Sequence, residues 1–212
     1  MKTIGRCGFA GGCAVLLLSL LGFPSRSVRA SGAGESGTLT YDKEGNFVLP
    51  RNYREWTFLS AGIDMAYGPN GVSATGHSVF DNVFVDPDAY RYFLAKGTWP
   101  DNTVMILEVR SAETNVSINH GGHSQGGVTG VEVHLKDASR FSPDKWAFFD
   151  VKPSGVGTLI SKTADCYSCH REHAAVDTTF VQFYPTLLPV AKEKGTLSPA
   201  YLKDQAAVEP AK

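Results

Sequence analysis

The sequence predicts an α+β fold: an antiparallel β-sheet of about four to six strands, flanking helices, and one chemically loaded helix near the C-terminus. Three observations carry this. Several short stretches alternate apolar and polar residues with the period of a strand. Residues 86–97 carry both a start and a stop signal for a short helix. From residue 165 onward the apolar spacing becomes helical, around the pattern C-x-x-C-H.

Residues 1–30 read as a signal peptide and stand outside the fold. Lys2 and Arg6 give a basic start, Cys13 to Leu21 a short apolar run, and Val28-Arg29-Ala30 a small-residue cleavage site. The run is too short and too broken by glycine for a membrane span. Cys13 lacks the residues that would make it a lipoprotein cysteine. The expected location is the periplasm. The remaining 182 residues make one domain's worth of chain. They hold 16 basic against 21 acidic residues, a net charge of −5, which argues against nucleic acid as a partner.

Residues 31–45, rich in Gly, Ser and charge, read as a disordered lead-in. The domain proper is expected over 46–198, with a polar tail at 199–212. Pro50 fixes a turn, and Tyr53 and Trp56 share a face of a helix start. Residues 57–64 continue that helix or open a strand. Four glycines and a proline in 62–76 predict turns. Residues 77–85 alternate as a strand. Asp86 caps a helix with Pro87 at its first position, and Gly97 ends it. In the strand at 103–110, Thr103, Met105, Leu107 and Val109 share one face. Residues 119–127 read as a flexible hairpin loop; His120 and His123 lie among glycines without a carboxylate, so the loop is not read as a metal site. The strand at 130–136 sets Val131, Val133 and Leu135 inward against Glu132, His134 and Lys136 outward, a half-exposed strand. The aromatics of 145–152 predict a central strand. Asp165 is placed to cap the next helix. Ala174, Phe180, Phe183, Tyr184 and Leu187 form its apolar continuation, which Pro185 and Pro189 kink or divide.

Cys166, Cys169 and His170 form the attachment pattern for a c-type haem, one per chain. Two cysteines on one helical turn can each add to a different vinyl group of one porphyrin, and the adjoining histidine can ligate the iron. A half zinc site would want a second cysteine cluster, and a thioredoxin-like pair a βαβ setting. The sequence shows neither. His173 cannot reach the same iron and reads as surface; Arg171 and Glu172 are placed near a haem propionate or the other nitrogen of His170.

The run C-x-x-C-H-R-E-x-A-x-x-D-x-x-F-x-x-F-Y-P-x-L at 166–187 resembles the cytochrome P-460 family. L-P-x-N-Y-R-E-W at 49–56, V-x-V-D-P-x-x-Y at 83–90, Thr103-Val104, R-F at 140–141 and W-A-F at 146–148 agree with it in order. The resemblance implies a mainly β-sheet, homodimeric, periplasmic haem protein. The family includes members that oxidise hydroxylamine and members of the cytochrome c′-beta type that bind NO and CO. The oxidising members carry a lysine, bonded to the porphyrin, in the strand after Thr-Val. Here Leu107 falls at that place, and Asp81 or Asn82 stands where an arginine is often found.

The far side of the iron then decides function. Leu107, Met105 and Phe80 are expected to wall it with hydrocarbon, which admits neutral diatomics such as NO or CO, with one-electron transfer to a redox partner protein possible. The alternatives are hydroxylamine or NO oxidation using Asp81, Glu108 or His77 as a base, and a low-spin electron carrier with Met105, or less readily Met65, on the iron.

Overall fold

The computed structural model describes residues 39–67 and 77–208. The expected signal peptide, residues 31–38 of the lead-in and the turns at 68–76 lie outside them. Among the described residues seven strands form one antiparallel sheet: β1 (Phe47–Val48), β2 (Thr57–Ile63), β3 (Val79–Val85), β4 (Val104–Glu113), β5 (Ser124–Lys136), β6 (Trp146–Val151) and β7 (Val156–Leu159). The order β1-β7-β6-β5-β4-β3-β2 is a meander from β2 to β7, with β1 added beside β7. The helices are α1 (Pro87–Lys96), α2 (Asp165–His173), α3 (Leu188–Lys194) and α4 (Pro199–Val208). This is the α+β architecture the sequence predicts.

The α1 signals act as read. Asp86 accepts from Ala89 N at 2.8 Å, and Gly97 closes the helix in the left-handed region at φ 73°. Elsewhere tertiary contacts overrule local reading. The lead-in is ordered from residue 39: Tyr41 bridges to Phe47 and donates its hydroxyl to Asp137 at 3.1 Å. The helix start at Tyr53 is a single 3-10 turn before β2. β5 begins at Ser124, inside the expected loop; β6 lies inside the sheet between β5 and β7, as its aromatics predict. Asp165 does not cap α2: it is the first helical residue and Ala164 holds the cap position without a side-chain bond. The chain leaves helix after His173, and the segment to α3 is a tight turn closed by a Val176–Thr179 bridge, one 3-10 turn and a further turn at 185–187. The expected polar tail forms α4 over 199–208. Ser198 Oγ accepts from Tyr201 N at 3.0 Å, and Tyr201 is buried.

Both sheet faces are covered. One carries Phe47, Tyr53, Val104, Ile106, Val133, Leu135 and Phe149. The other carries Leu59, Val85, Met105 and Trp146, packed against α1, α3, α4 and the segment after α2. The outward row of β5 is covered only in part: Glu132 is exposed, as the alternation suggests, whereas His134 is 9% exposed because Trp146, Phe148 and His170 pack on it.

Glu108 is a buried charge on the first face. It is 1% exposed and accepts from Tyr53 Oη, from Arg54 Nε at 2.7 Å and from Arg110 Nε at 2.5 Å. Burial alone raises its carboxyl, but the hydrogen bonds from Tyr53, Arg110 and Arg54 outweigh it and hold the group below its ordinary value. A carboxyl held low only when folded stabilises above its unfolded value, and the contribution is lost as pH falls through the folded one. Glu108→Ala is expected to cost about 2 kcal/mol in urea unfolding at neutral pH, since it removes the acceptor of the buried Tyr53 hydroxyl and of the mostly buried Arg110, while the half-exposed Arg54 returns to water. The difference from wild type should shrink below the ordinary carboxylate range; a difference that stays constant into acid counts against this clamp.

Candidate haem site

A pocket with about 820 Å³ of empty space, partly open to solvent, lies between the second sheet face and α2. Antiparallel register builds its floor. Val83, Leu107 and Glu132 stand side by side across β3, β4 and β5; Met105, His134 and Phe148 do so across β4, β5 and β6. Because side chains alternate, both rows face the same way, with Asp81 one step along β3. Ser60 and Gly62 of β2, then Met65 and Tyr67, extend the wall; Phe180, Phe183 and Tyr184 close it from the segment after α2.

α2 presents His170 to this space. The ring lies 4.1 Å, centroid to centroid, from Phe180, 4.7 Å from Phe148 and 4.9 Å from His134. Its Nδ1 is 2.7 Å from the carbonyl oxygen of Thr178, which can only accept, so Nδ1 carries the proton and Nε2 is left with a lone pair. Burial lowers the His170 pKa, which keeps the ring neutral and able to bind a metal. Cys166 and Cys169 sit one turn apart on the same helix and are free thiols. Burial pushes both thiols up.

These residues fit a covalent haem: two free thiols on the helix that carries His170, a neutral imidazole with its ligating nitrogen unengaged, and a largely apolar space beside it. Such a fold and site are those of a c-type cytochrome. The chain belongs to the cytochrome P460 family, whose model matches residues 50–181, more than half the chain and all of C-x-x-C-H. No curated protein matches the chain.

The structure sorts the other expected residues. Leu107 and Met105 line the pocket, as does Met65. Phe80 does not: it falls on the opposite face of β3 from Asp81 and Val83, which do. Of the bases considered, Asp81 lines the pocket, Glu108 lies across the sheet in its arginine clamp, and His77 is exposed at the start of β3. Asn82 faces away from the pocket and exchanges amide bonds of 2.8 Å with Gln125. Arg171 and Glu172 do not serve His170; they are exposed and 3.7 Å from each other. His173 meets Asp204 of α4 at 2.6 Å. Reading from sequence alone misses Glu132, His134 and Thr178. Their signal was available in the register, since Glu132 and His134 stand beside Leu107 and Met105 once β4 and β5 are paired.

Covalent attachment gives a direct check. The chain should keep its haem colour through a denaturing gel. Replacing both cysteines (Cys166→Ala with Cys169→Ala) should abolish the band, and either replacement alone should weaken it and shift the ferrous pyridine spectrum to that of a single thioether.

Proposed function

We propose that this is an exported, periplasmic cytochrome with one c-type haem, held by Cys166 and Cys169 and ligated by His170, that binds neutral diatomic ligands such as NO or CO. The observation that carries this is the apolar group Val83, Leu107 and Met105 on the pocket floor, with no lysine or arginine lining the pocket among the described residues. When bound, the iron supplies ligand affinity and a one-electron change of state. The chain does the rest. His170 holds one side through a nitrogen whose partner is protonated and tied to Thr178. Leu107, Met105 and Val83 offer no hydrogen bond to water or an anion, so a small uncharged ligand is favoured. Leu107 stands where the hydroxylamine-oxidising relatives place a cross-linking lysine, which disfavours that chemistry here.

The export reading rests on the composition of residues 1–30. The homodimer that the family resemblance implies would take its seam at β2, an edge strand of the sheet, where Phe58 and Ile63 are exposed.

One observation favours a second reading, redox catalysis on a small nitrogen compound. Asp81 and Glu132 both line the pocket. Burial raises both carboxyls, Asp81 further by Asp64 and Glu132 further by Asp150 and Asp81. Carboxyls so raised can take up or release a proton beside a bound ligand.

Absorption spectra of the ferric and ferrous protein with and without NO separate the readings. A high-spin spectrum without a sixth protein ligand, converted by NO, is expected. Met105→Leu should leave it unchanged; a shift from low to high spin in that variant makes Met105 a ligand and overturns the gas-binding reading. Leu107→Lys should move the chromophore toward that of the cross-linked relatives, and an unaltered spectrum counts against the placement of this residue. Turnover of hydroxylamine with an electron acceptor, lost in Glu132→Gln, would establish the second reading instead.

A further inference from the structure

Thr178 touches two histidines of the pocket at once. Its carbonyl accepts from His170 Nδ1 at 2.7 Å, and its hydroxyl shares a hydrogen bond of 3.2 Å with His134 Nε2. The His134 ring has little freedom: it stacks on Phe148 with centroids 4.1 Å apart and planes 12° from parallel, and lies 4.4 Å from Trp146. The residues flanking Thr178 are also anchored. Asp177 accepts from Lys136 Nζ at 3.3 Å, and the Thr179 hydroxyl accepts from Trp99 Nε1 at 2.8 Å. Thr178 is therefore held on its side chain by β5 and on both neighbours by the body of the domain, while its carbonyl faces α2.

We propose that His134 is a positioning residue for His170: through the Thr178 hydroxyl it fixes the carbonyl that orients the ring and sets how much electron density His170 offers the iron. The inference rests on His170 as the iron ligand. A hydrogen bond to the far nitrogen of a ligating histidine fixes its tautomer and raises its basicity. Releasing Thr178 weakens that bond, and the iron then loses electron density from its histidine. His134 stands in the pocket but acts through Thr178.

Two variants isolate the link. His134→Phe keeps the stack on Phe148 and removes Nε2. Thr178→Val removes the hydroxyl and keeps the carbonyl; its side chain is only partly buried, so it carries the test if His134→Phe fails to fold. The readouts are the iron–histidine stretching frequency of the ferrous protein by resonance Raman and the midpoint potential. Each variant should lower the frequency and raise the potential, and the double variant should do no more than one alone, since both remove one link. A haem-loaded Thr178→Val protein with wild-type frequency and potential overturns the proposal, as does an additive double variant. A low-spin wild type that turns high-spin in His134→Phe makes His134 a ligand and overturns it as well. A wild-type protein without covalent haem overturns the reading of His170 beneath it.

Discussion

The hydrogen bond between His170 Nδ1 and the Thr178 carbonyl is the contact on which the site depends. It ties together two residues eight positions apart by a bond between a side chain and the backbone, and it leaves Nε2 as the one ring nitrogen free to ligate. The geometry of the stretch between them is fixed from outside it. Gln182 returns to the end of α2, donating to His173 O and accepting from Ala175 N, while Trp99 and Lys136 hold Thr179 and Asp177. The non-helical stretch after α2 is therefore built to present one carbonyl to one imidazole. A continued helix would have spent that carbonyl on its own backbone ladder.

The sheet supplies the other half. Two-sided burial means each central strand contributes alternate residues to two different layers. On the first face those residues make an ordinary apolar core around Ile106, Val133 and Leu135, pinned by the clamp on Glu108. On the second face the same strands line a pocket, and its buried histidine is committed. His134 is engaged by Thr178 and Phe148, and burial drives its pKa well below the ordinary value, so it stays neutral. Asp81 and Glu132 are the acidic groups left facing the space, in a wall that is otherwise mostly hydrocarbon. A floor of this kind favours a small neutral ligand, and the two carboxyls mark where protons could be exchanged with it.

How much was legible depended on the range of the interaction. The signals of α1 were legible because a cap, a proline and a terminal glycine act within their own turn. The haem-attachment pattern was legible because two thiols and an imidazole within five residues are a local chemical requirement. Met105 and Leu107 could be put on one face from alternation alone. Phe80 could not, because adjacent strands must be registered before faces can be matched, and the register puts Asp81 and Val83 toward the pocket. β1 and β7 escaped notice because two and four residues are too few to show a period. α4 escaped because its docking rests on Tyr201 and on Ser198, not on an apolar stripe.

The sequence by itself determined the chemistry that short-range covalent and capping geometry can specify: which two cysteines and which histidine belong together, and that strands dominate the chain before them. Only the tertiary structure decided what surrounds that histidine. His134 looks like the wet side of a strand until Trp146, Phe148 and His170 cover it, Glu132 gains a place on the pocket wall only once β4 and β5 are paired, and Thr178 gains a role only when its backbone is bent back onto α2. Polarity read along one strand reports the composition of a face; whether that face meets water is set by what packs on it, and that is a property of the whole chain.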